Sequence, residues 1–231
     1  MGRWYNKRGT GVQTKYPIKN YDDIVCLLSW FEKMRDISKS ESKKYKYDRD
    51  YFFFLLGINF AFRTEDLLKL RSCDLENGYV TLRENKTGKV QNFPIHHELY
   101  DEYKKYVERN GITRKEYIFS SQKGKGIKKV TRQQMNNELD RAAKINRIPI
   151  KLSCYSLRKT FAYQYLANGG SIETLRKLLN HSSTEVTARY ACWGDDDVER
   201  ERREFYIGYS IRTKDDAKKG RKKEERKKKT R

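Results

Sequence analysis

The feature that most constrains this chain is the run from Tyr51 to Phe62, which is apolar except at Gly57 and Asn59. It is shorter than the ~20 residues needed to cross a bilayer, so it reads as a core helix. Tyr51, Phe54, Leu55, Ile58 and Phe62 recur on its buried side. The sequence around it is strongly ionic, with 36% charged residues and a mean hydropathy of −1.01. Yet 36% of the 231 residues are hydrophobic and 13% aromatic, which argues for a folded domain. The formal net charge of +21 favours partners dense in negative charge, meaning nucleic acid or an anionic membrane face. The start, Met1-Gly2-Arg3-Trp4, lacks the apolar core of a secretory signal. Cys26, Cys73, Cys154 and Cys192 stand far apart, and there are three histidines, so neither a structural zinc site nor a disulfide framework is expected. The expectation is a reduced, soluble, cytoplasmic protein with no membrane segment.

Residues 212–231 hold twelve Lys/Arg against four Asp/Glu, a net +8 that leaves +13 for the rest. The globular part should therefore present a positive face of its own. The tail reads as a solvated, disordered extension, as an arm that tracks phosphates, or as both. Residues 1–19 form a basic N-terminal extension, and 20–211 are assigned to one domain.

That domain reads as α+β and mostly helical. Asn20 caps a helix carrying Ile24, Leu27, Leu28, Phe31 and Met34; Ser38–Tyr47 reads as a loop before the apolar helix. Thr64 is expected to cap a short helix with Leu67, Leu68 and Leu70. Asn77-Gly78 is a hairpin signal, followed by alternation over 79–83, a turn at Lys86–Lys89 and a strand over 90–95, giving a small antiparallel sheet. Helices then follow over 98–107, from a Thr131/Gln134 capping box, around Leu157–Leu166, and after Ser171 with Ile172, Leu175, Leu178 and Leu179 inward. A last short turn holds Val186 and Tyr190.

The run Leu157-Arg158-Lys159-Thr160-Phe161-Ala162, then Gly169-Gly170, Leu178-Leu179-Asn180-His181-Ser182-Ser183 and Tyr190 nine residues beyond His181 closely resembles the signature of the tyrosine recombinases, the phage-integrase family. Phe62–Leu70 is similar to the family's first arginine with its acidic and leucine neighbours, and Lys86-Thr87-Gly88-Lys89 matches the place of its hairpin lysine. The resemblance covers roughly residues 20–195. It implies the recombinase catalytic fold, with a small three-stranded antiparallel sheet, and a site built from Arg63, Lys86, Tyr155, Arg158, His181 and Tyr190, with Asp66 orienting its neighbours. The arginines would hold a phosphodiester, Tyr190 would form a 3′-phosphotyrosyl bond, Lys86, with Lys89 as rival, would protonate the leaving oxygen, and His181 would bind the phosphate. No metal or cofactor is implied.

Two departures stand out. Tyr155 occupies the place of the family's histidine, and a phenol of pKa about 10 is a poor base near neutrality. The family's N-terminal clamp domain is missing or reduced to residues 1–19. The sequence is thus open to two readings: a DNA-cutting recombinase, or a recombinase-fold regulator or accessory protein that holds DNA without cutting. Either implies double-stranded DNA as partner. The resemblance further implies a homo-oligomer on DNA, up to a tetrameric synapse, through an amphipathic helix in 198–211; the alternative is that this segment packs on its own domain. Grip on a specific site could draw on an accessory DNA-binding protein. Richness in Lys, Asn and Tyr suggests an AT-rich source, such as a bacterial mobile element or prophage acting at the nucleoid.

Overall fold

A computed structural model describes residues 16–86, 88–122 and 126–204. Two compact units divide at Trp193/Gly194. The first runs α1 (Tyr21–Asp36), α2 (Glu41–Phe60), α3 (Thr64–Leu68), β1 (Leu75–Glu76), β2 (Tyr79–Arg83), β3 (Val90–Pro94), α4 (His97–Asn110), α5 (Arg132–Ile145), α6 (Cys154–Ala167), α7 (Ile172–Leu179) and α8 (Thr184–Ala191). The second holds α9 (Asp195–Glu204). The mostly helical fold with one small antiparallel sheet is the one expected. None of the described helices is long and apolar enough to cross a membrane.

The core is organised around α2. Its apolar residues do not form the single stripe expected: Phe52, Phe53, Phe54 and Leu56 are all fully buried, so neighbours cover it on every side. Phe52 stacks on Tyr106 of α4 at 4.6 Å, and Phe53 meets Phe119 edge-on at 5.0 Å. Phe62, expected on this helix, lies beyond its end. The helix also starts earlier than expected, at Glu41 rather than after a loop through Tyr47. The Ser/Lys-rich stretch that resembled a loop becomes its first turns, where Glu41 pairs with Lys44 one turn on. Asp48 is buried at the helix surface and accepts from Arg35 of α1, Arg109 of α4 and Asn110, so one carboxylate ties three helices.

Sheet order is β1-β2-β3, with Leu75 opposite Val80 and Val80 opposite Phe93. The Asn77-Gly78 turn has positive φ at both residues (53° and 75°), the twist that a two-residue hairpin requires. Val80 and Leu82 face inward while Tyr79, Thr81 and Arg83 face out. The capping box of Thr131 and Gln134 forms as expected, and Gly111 ends α4 in the left-handed region.

Three details differ from expectation. Arg63, not Thr64, is the residue before the first turn of α3. Leu178 and Val186 are exposed, because α7 and α8 bury Leu175, Leu179 and Thr187 instead. Residues 16–19 are packed rather than trailing: the Ile18 amide donates to Thr160 Oγ1 at 2.9 Å, and Gln164 Nε2 donates to the carbonyls of Ile18 and Lys19. The rest of the expected N-terminal extension and the 212–231 tail lie outside the described residues. So do 205–211 of the expected C-terminal helix, of which α9 covers the first part.

Gly57 sets the spacing of α2 and α6. A Cβ there would come within 2.6 Å of Leu157 Cδ1 and 3.2 Å of its Cβ, and Leu157 is itself buried. Gly57→Val is therefore expected to lower stability by about 2 kcal/mol or more through overpacking. Urea unfolding measures this; an unchanged midpoint would show that α2 and α6 separate freely.

Candidate active site

The site is assembled on the first two turns of α6. That helix starts at Cys154, whose amide donates to Asn136 Oδ1 at 3.0 Å. Arg158 thus does not begin the helix, as the sequence suggested, but sits in its second turn. Helical spacing puts Tyr155, Arg158 and Lys159 on one face. Tyr155 is 39% exposed, whereas Arg158 and Lys159 are buried. Asn180 ends α7 in the left-handed region (φ 56°) and turns the chain, which delivers His181. Ser183 then caps α8 by accepting from the Val186 amide, and α8 carries Tyr190 back to α6.

Four side chains enclose the Tyr190 ring. Tyr155 meets it edge-on at 5.4 Å and His181 at 5.0 Å between ring centroids. The Arg158 guanidinium lies 6.0 Å, and the Lys159 ammonium 5.5 Å, from its centre. The Tyr190 phenol oxygen is buried and makes no hydrogen bond of good geometry among the described residues, with the side chains of Tyr155 and Arg158 close beside it. Burial raises this phenol well above its ordinary value; Arg158 works against that rise and Tyr155 adds to it.

Arg158 donates to the Leu179 carbonyl at 2.8 Å, which fixes the guanidinium across the α7 terminus. Burial, helped by nearby Arg63, lowers its basicity; Tyr190 and Glu84 offset this. Arg63 donates to Glu84 Oε2 at 2.8 Å, and Gln91 Nε2 reaches Glu84 Oε1 at 3.3 Å. His181 faces Thr187 Oγ1 through Nδ1 at 3.3 Å, and Thr187 donates its own proton to the Ser183 carbonyl. Nδ1 must then be the donor, leaving Nε2 for the pocket.

The Asp66 carboxylate does not pair with the arginines, although the Asp66 amide donates to the Arg63 carbonyl at 2.9 Å. It is buried, accepts from the Asn85 amide at 2.8 Å and pairs with Lys69 at 3.0 Å, and so props the turn that bears Lys86. Lys86 is exposed in that turn and is not brought into the Tyr190 cluster; Lys89 is exposed as well. Sequence reasoning missed Glu84 and Lys159. Glu84 extends the inward alternation Val80, Leu82 by one more step, so a carboxylate on the buried face was the available signal. Lys159 lies four residues after Tyr155, hence one turn above it. No group of three or more His, Cys, Asp or Glu able to hold a metal occurs among the described residues.

Burial, then Arg158 and Arg63, lower the basicity of His181. In an NMR titration its ring should protonate below the ordinary ~6.5. Its contribution to stability is complete above that unfolded-state value and is lost as pH falls through the lower folded-state midpoint. A midpoint at or above 6.5 would contradict the arrangement.

The sequence pattern of the phage integrase family matches residues 31–194. "Probable integrase/recombinase YoeC" of Bacillus subtilis is 33% identical over 168 residues, which is 72% of this chain and 89% of that protein. "Tyrosine recombinase XerA" of Pyrococcus furiosus is 29% identical over 62% of this chain and 49% of its own length. Among solved structures, that of XerA recombinase superposes with a TM-score of 0.65 at 19% identity, covering 85% of this chain and 68% of that one. The catalytic domain of bacteriophage HP1 integrase gives 0.52 at 21% identity, covering 82% and 95%. The signature around Arg158, His181 and Tyr190 and the helical scaffold that gathers them agree with these likenesses: the chain belongs to the phage integrase family of tyrosine recombinases.

Proposed function

We propose that this protein cuts and rejoins double-stranded DNA at a specific site through a covalent bond from Tyr190 to a 3′-phosphate. The observation that carries this reading is the buried Tyr190 phenol, without a hydrogen bond of good geometry among the described residues and flanked by Arg158 and His181. A DNA-binding module has no use for a phenol held in that register. A phosphodiester seated on Arg158 and Arg63 would supply the well-aligned polar partner that the phenol lacks. Two arginines neutralise the nonbridging oxygens without risk of deprotonation. Because its Nδ1–H is committed to Thr187, His181 donates to a phosphate oxygen through Nε2 once the ring is protonated, and a phosphate dianion-like transition state favours that protonation.

In the forward step the Tyr190 oxygen forms a bond to phosphorus and the bond to the 5′-oxygen breaks. The phenolic proton leaves to solvent, and the 5′-oxygen takes a proton from Lys86, which reaches the site when DNA draws the hairpin in. The phosphotyrosyl bond conserves energy for religation, so the cycle needs no cofactor. XerH has been solved with its DNA substrate as a post-cleavage complex, which supports DNA as the partner here.

The same reading makes residues 20–211 the working domain, with 1–19 and 212–231 as basic flanks that add salt-dependent affinity for phosphates. Copies assemble on DNA through 198–211; Val198 on α9 is exposed. An accessory DNA-binding protein would complete the grip, and the setting is a mobile element or prophage at the nucleoid. Deleting residues 194–231 should abolish higher assembly on DNA in size-exclusion chromatography; unchanged assembly would contradict trans packing.

The test of the reaction is covalent capture. Cells expressing wild type or Tyr190→Phe are lysed in strong detergent, and DNA still bound to protein is sequenced. Wild type should give adducts at discrete sites and Tyr190→Phe none, with Arg158→Ala lowering the yield about 10²–10³-fold. Localised but non-covalent occupancy by both proteins, with no cutting of a nicked copy of that site, would favour a retired recombinase that only binds.

A further inference from the structure

Lys159 has no part in the reaction as described, yet it is buried beside the Tyr190 ring. It is 8% exposed, and among the described residues no carboxylate pairs with it. Its ammonium has a thiol as hydrogen-bond partner, Cys192 Sγ at 3.7 Å, and lies 5.5 Å from the centre of the Tyr190 ring and 5.8 Å from that of Tyr155. A buried ammonium without a counter-charge is unfavourable, and a methionine would fill the same volume without that cost. The charge itself therefore needs a use.

Tyr190 supplies one. Its phenol must become anionic as it attacks, in a place where burial opposes exactly that change. The groups around its ring are Tyr155, Arg158 and Lys159 from α6 and His181 from the α7–α8 turn, with Arg63 and Glu84 beyond Arg158, while Cys192 at the end of α8 meets the Tyr190 main-chain carbonyl. Tyr155 brings no charge. Arg158 is divided between the Leu179 carbonyl and the phosphate. Lys159 is left as a cation over the Tyr190 ring, with no carboxylate paired to it among the described residues.

We propose that Lys159 activates Tyr190: its ammonium stabilises the negative charge that develops on the phenol oxygen during attack. The proposal rests on the reading of Tyr190 as nucleophile. The phenolic proton goes to solvent as the oxygen–phosphorus bond forms. In religation the 5′-hydroxyl returns its proton to Lys86 as its oxygen attacks phosphorus, the bond to Tyr190 breaks, and Tyr190 departs as a phenolate that regains a proton from solvent, so the same charge assists the reverse step. The residue acts through Tyr190 and is thus a positioning residue in the electrostatic sense. It stands one helical turn from Tyr155 and restores, from a different position, the positive charge that a tyrosine there does not provide.

The test measures the coupling without DNA. The full-length protein is made with 3,5-difluorotyrosine at position 190, whose phenol ionises well below that of tyrosine, and its ionisation is followed by fluorine NMR. Lys159→Gln and Lys159→Met should raise the midpoint by a unit or more, so that about tenfold less phenolate is present at a given pH. Lys159→Arg, which keeps the charge, should leave it nearly unchanged. In the covalent-capture assay the neutral variants should lose about tenfold or more adduct near neutrality, with the deficit shrinking as pH rises. Unchanged midpoints in both folded neutral variants would overturn the role of Lys159, whatever the capture assay returns. A shifted midpoint with no adduct from wild type would instead overturn the reading of Tyr190 as nucleophile.

Discussion

The arrangement depends on holding like charges together. Arg158, Lys159 and His181 converge around Tyr190, with Arg63 and the carboxylate that answers it, Glu84, beyond Arg158. Left to themselves in a flexible chain, such groups would separate and hydrate. They stay because each hangs from an element fixed by something else: α6 by its close approach to α2 at Gly57, His181 by the left-handed turn at Asn180, Arg63 by the start of α3, and Glu84 by the sheet. In the proposed function, this positive potential is what draws in a phosphodiester.

Much of this was legible in advance because it follows from local rules. The Asn77-Gly78 hairpin, the Thr131/Gln134 box and the cap at Ser171 are each fixed by a few adjacent residues, and they form where expected. The spacing of Arg158, His181 and Tyr190 was readable for another reason, its resemblance to the tyrosine-recombinase signature, and not from any local rule. What local rules missed depends on distant neighbours. The start of α2 at Glu41 looked like a loop from composition, and its all-round burial is decided by α1, α4 and α6 rather than by its own periodicity. Leu178 was expected inside because an apolar residue at helical spacing usually is, but α7 turns Leu175 and Leu179 inward and leaves Leu178 out.

Glu84 and Lys159 illustrate the harder class of omission. Glu84 belongs to no run that marks chemistry, and Lys159 lies inside one without a role of its own there; each is meaningful through one partner far away in sequence: Arg63 for Glu84, Tyr190 for Lys159. Asp66 was expected through the resemblance to orient its neighbours, and in the fold its carboxylate holds the Asn85 amide and Lys69 and so fixes the turn that carries Lys86. Charge at a site is read reliably only once the scaffold says which groups share a space.

The central claim is that Tyr190 takes a nucleotide onto its own oxygen. Protein captured on DNA, digested with nuclease and then with trypsin, can be examined by mass spectrometry for the peptide Tyr190–Arg200. The account predicts a 3′-linked nucleotide on Tyr190 in that peptide. A nucleotide on Tyr155 or any other residue, or none on a protein that nonetheless cleaves DNA, would contradict it.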